Sequence, residues 1–395
     1  MPHLIHLLLG LSPPGSRYKQ VAVSNSRSAR TSSAHPETAA DLRMSDSSEP
    51  SRKRPSVSIV IPVRNGGDDL GECLRAVHRL HPRPAGVIVV DDHSTDGSGE
   101  LARRLGATVL QLGGRGGPSA ARNAGARQTG CEIIFFVDAD VAVRPEVVGL
   151  VQDEFERDRS LAAIIGSYDD APAKPNFLSQ YKNLLHHYTH QRASEEAFTF
   201  WGACGAIRRD VFERIGGFDE SWTCIEDIEL GYRLRAAGHR IKLVKTLQVK
   251  HLKRWTPSSL LRTDIFVRAL PWSRLIVANK RMANDLNIDV ASRLSVACAY
   301  GLIGSVIFAV LWPPLIAVAV AFAVGLVILN AHVYAFLGRK GGLWFMLRAI
   351  PWHWLYYLYS GAAFAVATLE HPFSRTRAGA ASMTTGAGLS GVEGR

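Results

Sequence analysis

Two carboxylates stand one residue apart at the end of an apolar run. Asp138 and Asp140 follow residues 133–137, which read Ile-Ile-Phe-Phe-Val. A buried strand that ends in this way presents two oxygen ligands at one edge of a sheet. Hard divalent cations such as Mg²⁺ or Mn²⁺ prefer oxygen ligands, with phosphate oxygens and water completing the shell. A lone Asp-x-Asp pair is common by chance, so its meaning depends on the surrounding elements.

Short apolar runs alternate with amphipathic segments from residue 56 onward. This pattern predicts strands at 57–63, 86–90, 107–112 and 132–137, and helices at 70–80, around 101–105 and at 119–127. Apolar strands that alternate with helices indicate a parallel sheet covered on both faces. Ligands bind beyond the carboxyl ends of such strands. Both carboxylate-rich segments, Asp91-Asp92 and Asp138 with Asp140, fall at such ends, which indicates a site.

The Asp91-Asp92 pair closes the second predicted strand. A carboxylate at this position can accept hydrogen bonds from a nucleobase imide or a ribose hydroxyl. Capping of the next helix by Asp96 or Ser98 is a structural alternative. Capping by those residues does not explain the preceding pair of aspartates.

Taken in order, several segments resemble family 2 glycosyltransferases of the GT-A fold. The matching segments are 57–65, 89–97, 121–125, 136–140 and 216–220 followed by Glu226-Asp227. The resemblance covers about residues 56–255 and implies an α/β domain with a mainly parallel sheet that binds a nucleotide-diphosphate sugar donor. It implies donor-binding roles for Pro62, Asn65, Asp91, Asp92, Arg122 and Asp138, and a metal site formed by Asp138 and Asp140.

The resemblance also implies that Glu226 and Asp227 carry the catalytic step. Direct displacement at the anomeric carbon by an alcohol needs a base, and a carboxylate within reach supplies it. The family assigns this role to Asp227. The alternative is a purely structural pair, because a helix is predicted at 228–237 and acids are favoured at helix N-termini.

Residues 251–255, His-Leu-Lys-Arg-Trp, resemble the Gln-x-x-Arg-Trp segment of processive polysaccharide synthases, with His in place of Gln. The resemblance implies that Trp255 lines the acceptor end of the site and that Arg254 faces the diphosphate. His251 is expected to reach the metal or the diphosphate, or to be structural. Trp201 and Gly202 begin a segment that looks like the acceptor-side loop of the family.

The C-terminal third of the chain is apolar. Residues 294–311 and 315–336 carry no charge, and each is close to the roughly 20 residues that cross a bilayer. They predict a transmembrane hairpin, with buried helices of a soluble protein as the alternative. A third segment at 354–369 either spans or lies in the interface. Basic residues in 250–293 and 338–342 predict a cytoplasmic catalytic domain. The helix predicted at 255–276 lies on an anionic leaflet or packs on the domain.

The formal net charge of +11 arises from 46 Lys and Arg against 35 Asp and Glu. No zinc-finger or RNA-binding signature accompanies this charge, so the apolar C-terminal third favours a membrane over nucleic acid as the partner. The five cysteines lack metal-type spacing and indicate reduced thiols. Residues 1–55 are expected to form a disordered leader, with Met44 as a hypothetical natural start, and residues 372–395 a disordered tail.

The sequence therefore predicts an inverting glycosyltransferase that depends on Mg²⁺ or Mn²⁺. It would move a sugar from a nucleotide-diphosphate sugar to a hydroxyl of a lipid or lipid-linked glycan, as a multi-pass protein of the inner membrane. Its regions would be the GT-A domain at 56–250, interfacial helices at 251–293 and membrane segments at 294–371. The alternatives are a polyprenyl-phosphate glycosyltransferase similar to dolichol-phosphate mannose synthase, a processive synthase, and a catalytically silent scaffold.

Overall fold

The computed structural model describes the backbone of residues 54–279 and 289–386, and the side chains of residues 54–279 and 289–372. The predicted leader, including Met44, lies outside the described residues apart from its last two positions. The last described helix ends at Gly386, and the disordered tail predicted from residue 372 stays a prediction.

A single sheet forms the centre of the domain. Its strands are β1 Val57–Val63, β2 Gly86–Asp91, β3 Thr108–Gln111, β4 Ile133–Val137, β5 Val141–Val143, β6 Leu161–Tyr168, β7 Glu196–Ala197, β8 Cys204–Arg208 and β9 Arg240–His251. Their order is β3-β2-β1-β4-β8-β6-β9-β5, with β7 paired to β9. Strands β1 to β4 are parallel, but β8 runs antiparallel to β4 and β6. The sheet is therefore mixed: parallel pairing joins β1–β4 and joins β6 to β9, whereas the other pairs, such as β4 with β8, are antiparallel.

The helices cover the sheet and then continue into a separate C-terminal layer. They are α1 Gly67–His78, α2 Ser98–Arg104, α3 Gly117–Arg127, α4 Val147–Arg157, α5 Phe177–Arg192, α6 Arg209–Arg214, α7 Glu226–Ala236, α8 Pro257–Arg262, α9 Leu270–Asn279, α10 Val290–Phe308, α11 Leu315–Leu329 and α12 Ala331–Gly386. A π-helical stretch, Thr263–Ala269, joins α8 to α9. Gly342 interrupts α12 with a positive φ of 82°. Up to α3, the predicted elements agree with the observed ones to within three residues.

Strand β4 is buried on both faces and fixes the position of the aspartates that follow it. Phe135 packs in an apolar cluster with Leu70 of α1, and Phe136 packs in a second cluster with Leu230 of α7. Successive strand residues point to opposite faces, so the two phenylalanines attach β4 to both layers. Burial of a side chain of this size contributes about 1.5–3 kcal/mol. Asp138 therefore directly follows a strand that is held in place on both faces.

The C-terminal helices meet only part of the membrane prediction. Helix α10 is 19 residues long and, by length and composition alone, is the one described helix suited to cross a membrane. Helix α11 has 15 residues, and it passes the same test only together with α12, from which it is bent by 64°. A multi-pass arrangement is thus not supported by the described helices.

The third apolar segment, within α12, has both of its ends tied to the rest of the protein. Before it, Lys340 forms an ion pair with Asp170 of the loop after β6. At its end, Glu370 accepts a hydrogen bond of 2.9 Å from Arg274 Nε of α9. These contacts attach both ends of the segment to other described parts of the protein, and whether it spans the membrane or lies in the interface stays a prediction.

The segment from α8 to α9 packs on the domain. Asp264 in its π-helical part is 4% exposed. Its carboxylate accepts hydrogen bonds from Lys182 Nζ of α5 at 2.6 Å and from the Tyr359 hydroxyl of α12 at 2.8 Å. Phe266 and Val267 are 63% and 40% exposed, so two apolar side chains of this segment remain exposed.

Candidate active site

Arg122 of α3 lies at the centre of the predicted site. Its Nη2 donates a hydrogen bond to Asp138 Oδ1 at 2.7 Å, and its Nη1 donates to Glu226 Oε1 at 2.5 Å. The guanidinium is buried and its Cζ lies 5.4 Å from the centre of the Phe218 ring. Burial opposes its charge, but Asp138, Glu226 and Asp227 together raise its pKa further above the usual range. One cation therefore holds the carboxylate after β4 and the carboxylate that opens α7.

Glu226 and Asp227 are the first two residues of α7. The residue before them, Ile225, is buried and has a φ of 55°. This left-handed conformation is rare for a β-branched residue and costs on the order of 1–3 kcal/mol. The surrounding structure thus enforces an unfavourable turn immediately before the predicted catalytic pair.

Asp227 is held by two backbone groups. Its Oδ2 accepts a hydrogen bond from the Gly202 N–H at 3.0 Å, and its Oδ1 accepts one from the Ile228 N–H at 2.8 Å. Burial and the neighbouring charge of Glu226 raise its pKa to about 6, although Arg122 and the Gly202 N–H act in the opposite direction. An aspartate with this pKa is deprotonated at neutral pH and is a stronger base than an ordinary one.

Asp140 lies beside His251. The antiparallel register of β5 and β9 sets Val141 opposite His251, and His251 Nε2 lies 3.7 Å from Asp140 Oδ2. Burial raises the pKa of Asp140, but His251 and Lys253 outweigh burial and leave the pKa below its ordinary value. The imidazole of His251 is itself buried and stacks on Tyr168, with ring centres 4.3 Å apart.

The chemistry of these side chains fits a divalent cation. The carboxylates of Asp138 and Asp140 are about a third exposed, at 33% and 31%. Burial raises the pKa of Asp138, and the charge of Asp140 adds to this against the opposing effect of Arg122. Within residues 54–279 and 289–372, no three His, Cys, Asp or Glu side chains are already arranged as a metal site. A cation here would need ligands from a diphosphate or water.

The side chains predicted to contact the base are tied to backbone groups of their own loops. Asp91 Oδ1 accepts a hydrogen bond from the Ser94 N–H at 2.9 Å. Asp92 uses both oxygens, accepting from the N–H groups of Gly116 and Gly117 at 2.8 and 3.0 Å.

Asn65 and Pro62 complete this part of the predicted site. The Oδ1 of Asn65 accepts from the Thr95 N–H at 2.8 Å and so joins the loops that follow β1 and β2. Pro62 lies in β1 opposite Val90. These contacts shape the rim beyond the parallel strands, and the donor-binding role of all four residues stays a prediction.

The acceptor-side predictions divide into two groups. Gly202 contacts Asp227, and Trp201 packs within 4.9 Å of the rings of Tyr168 and His186. By contrast, Trp255 is 1% exposed and packs against Leu178 and Leu260, away from solvent. Arg254 is exposed, and neither a hydrogen bond nor an ion pair to another described residue involves it.

Tyr168 and His186 contact residues of the site, but the sequence analysis does not predict either of them. Tyr168 stacks on His251, and its ring lies 4.4 Å from that of His186. The position of Tyr168 at the end of a buried strand is a signal that would identify it. Burial lowers the pKa of His186 well below its ordinary value, but its helical position carries no sequence signal.

Residues 58–216 match the model of Glycosyl transferase family 2. This part of the chain is similar to a family 2 glycosyltransferase domain. The match and the mixed sheet support the GT-A fold, and enzymes of this fold commonly use a divalent metal.

Two curated relatives and one solved structure illustrate the similarity. The uncharacterized glycosyltransferase YaiP of Escherichia coli is 30% identical over 209 residues, covering 49% of this chain and 51% of its own. The O-antigen chain rhamnosyltransferase WbaN of Salmonella anatum is 24% identical over 247 residues, covering 55% of this chain and 74% of its own. A mannosyltransferase of Pyrobaculum calidifontis, solved with GDP-Man and Mn²⁺, is 19% identical, with a TM-score of 0.49 over 82% of this chain and 88% of its own. The chain spans about half the length of YaiP.

Proposed function

We propose that this protein transfers a sugar, with inversion, from a nucleotide-diphosphate sugar to a hydroxyl group of a lipid or lipid-linked glycan. The observation that carries this proposal is the Asp227 carboxylate, which is deprotonated at neutral pH and fixed by the Gly202 N–H at 3.0 Å. Arg122 binds both Glu226, which precedes Asp227 at the start of α7, and Asp138 after β4. The proposed base and the proposed diphosphate-binding carboxylate are therefore connected through Arg122.

In the proposed mechanism, Asp227 accepts the proton of the attacking hydroxyl. Its raised pKa matches it to proton transfer near neutral pH. The Gly202 N–H orients Oδ2, while the Arg122–Glu226 ion pair holds the first turn of α7 in place. Glu226 is thus assigned a positioning role, because its carboxylate is already paired with Arg122.

Asp138 and Asp140, with His251 beside Asp140, are the residues that would hold Mg²⁺ or Mn²⁺. When bound, such a cation offsets the negative charge that develops on the leaving diphosphate. The side chains themselves supply the carboxylates and their orientation. Arg122 limits the freedom of Asp138, whereas Asp140 is oriented by the strand pairing of β5 with β9.

The properties of Asp227 favour a hydroxyl acceptor over a polyprenyl phosphate. A phosphate oxygen is already ionised near neutral pH and needs no base. Burial beside Glu226 disfavours the ionised form of Asp227. A role in proton transfer explains why an aspartate occupies this position. The name of the relative WbaN, a rhamnosyltransferase of O-antigen chains, supports a glycan as the acceptor.

Attachment to the cytoplasmic face of a membrane completes the proposal. It is supported by the exposed apolar surface of α10 and α11, on which Ile307 and Ile328 are 61% and 67% exposed. The basic residues Arg339 and Lys340 follow this apolar stretch. Such a charge arrangement favours the anionic cytoplasmic leaflet.

The test uses the full chain in nanodiscs with a panel of UDP-, GDP- and dTDP-sugars, Mn²⁺ or Mg²⁺, and a bacterial lipid extract. Mass spectrometry of the product identifies the bond formed. A sugar joined to a hydroxyl oxygen by a glycosidic bond supports the proposal, and a glycosyl phosphate ester would support the polyprenyl-phosphate alternative. Absence of both transfer and donor hydrolysis across the panel would favour the scaffold.

A further inference from the structure

The turn between α10 and α11 is apolar throughout. Residues 309–317 read Ala-Val-Leu-Trp-Pro-Pro-Leu-Ile-Ala, and no Asp, Glu, Lys or Arg occurs from residue 294 to residue 338. Val310, Leu311 and Trp312 are 85%, 82% and 62% exposed. Hydrated polar side chains stabilise a turn that emerges into water, and the indole N–H of Trp312 is the one polar side-chain group in residues 309–317.

The backbone of the turn is suited to an environment without water. The N–H groups of Leu311 and Trp312 both donate to Phe308 O at 3.0 Å, and those of Leu315, Ile316 and Ala317 donate to the carbonyls three residues earlier at 3.0–3.1 Å. Pro313 and Pro314 have no N–H to satisfy. Among the N–H groups of residues 309–317, the Val310 N–H alone forms no such bond, and the carbonyls of residues 309–311 accept none. Unsatisfied backbone groups are strongly unfavourable in hydrocarbon, so the pairing of most N–H groups favours a turn that lies in lipid.

The hairpin is at the lower end of the length that can cross a bilayer. Asn330 Nδ2, at the end of α11, donates to Ser295 Oγ of α10 at 3.0 Å, and the Tyr357 hydroxyl donates to Asn330 Oδ1 at 2.6 Å. These polar contacts mark the base of the hairpin. From this level to Trp312 the chain rises about 26 Å at 1.5 Å per residue, whereas the hydrocarbon core is about 30 Å thick.

We propose that α10 and α11 form a re-entrant hairpin whose tip ends within the hydrocarbon, so that the described chain enters the bilayer from one face and does not cross it. The occupant of the exposed apolar surface is therefore lipid acyl chains. The ion pairs of Lys340 and Glu370 keep both ends of the following helical segment beside the domain. This inference rests on the membrane attachment that forms part of the proposed function.

Cysteine accessibility in membrane vesicles tests the proposal. In a variant with all five native cysteines replaced, single cysteines are placed at the tip as Leu311→Cys or Ile316→Cys. The control is Glu156→Cys, because Glu156 is exposed on α4 of the catalytic domain. Each full-length variant is treated with a charged, membrane-impermeant maleimide in right-side-out and in inverted vesicles, and glycosyl transfer confirms that it is folded.

We expect the control to react only in inverted vesicles, and the tip cysteines to react in neither orientation until detergent is added. Reaction of the tip in right-side-out vesicles would overturn the proposal in favour of two spans. Release of the protein by alkaline carbonate would instead contradict the membrane attachment itself. A charge at the tip gives a second measurement. Leu311→Lys should lower the membrane-bound fraction about tenfold relative to Glu156→Lys, and an unchanged fraction would also contradict a lipid-buried tip.

Discussion

Arg122 and Glu226 form a buried ion pair at 2.5 Å although 104 residues separate them in the chain. The same guanidinium binds Asp138 at 2.7 Å. The carboxylate that follows β4 and the carboxylate that opens α7 are therefore bound by the same guanidinium. Any substitution of Arg122 should therefore affect both Asp138 and Glu226.

Replacement of Arg122 by Met should destabilise the fold strongly. The variant leaves Asp138 and Glu226 without their partner, and removing one member of a buried ion pair costs about 3–5 kcal/mol. Glu226→Gln should cost less, because the amide oxygen can still accept a hydrogen bond from Arg122. Denaturation of the two single variants and the double variant measures their coupling, and additivity within about 0.5 kcal/mol would show that the pair is not coupled.

Asp227→Asn should lower kcat by about 10²–10⁴-fold, the range expected for loss of a general base. Donor binding should be retained, because the asparagine Oδ1 can still accept the hydrogen bond of the Gly202 N–H. The matched control is Asp210→Asn, a change at a carboxylate that is 61% exposed and paired with Arg214. Initial rates and donor affinity are measured for both variants, and a fully active Asp227→Asn enzyme would refute the assignment.

The raised pKa of Asp227 predicts the pH dependence of the free enzyme. Because the carboxylate must be deprotonated to act as a base, kcat/KM should fall about tenfold per pH unit below a pH of about 6 and level off above it. Measurement of kcat/KM between pH 4.5 and 8.5 checks this fall at acidic pH. The residual activity of Asp227→Asn should not show the fall. A fall that persists in the variant would indicate that another group titrates.

The same pKa predicts how Asp227 affects stability. Its pKa in the folded state, about 6, lies above the ordinary value of 3.8. The folded state thus binds this proton more tightly, and the stabilisation from Asp227 is complete below pH 3.8 and is lost as the pH rises through 6. Asp227→Asn should therefore raise Tm relative to the native protein more at pH 7.5 than at pH 5. A difference of the opposite sign would contradict the raised pKa.

Local patterns were sufficient to predict the position of Asp138 but not its partners. The apolar run of β4 and the acidic residues after it are adjacent in sequence, and the predicted strand is confirmed to within one residue. The Arg122–Glu226 pair depends on how α3 and α7 pack, which no local pattern encodes. Likewise, the burial of Trp255 to 1% exposure depends on the helices that pack around it, which the resemblance does not encode, and its role at the acceptor end stays a prediction.

Asp138 and Asp140 should respond differently to amide substitution. Asp138→Asn weakens the bond to Arg122, so it should lower both activity and thermal stability. Asp140→Asn leaves Arg122 untouched and should lower activity with less effect on Tm. Nucleotide diphosphate with Mn²⁺ should raise the Tm of the native protein, and EDTA or Asp140→Asn should abolish that rise. An equal rise in Asp140→Asn would exclude Asp140 as a ligand.

Gly202 should not tolerate even a methyl group. A Cβ at this position would lie 2.9 Å from Arg122 Cζ, and the guanidinium cannot retreat without breaking its bonds to Asp138 or Glu226. Gly202→Ala should therefore cost about 1–3 kcal/mol of stability through overpacking, and it should lower kcat at least tenfold because the Gly202 N–H also orients Asp227. Gly130→Ala is the control, since a Cβ there meets no heavy atom within 4 Å. Equal stability and equal rates in the two variants would show that the close approach of Gly202 to Arg122 has no role in the site.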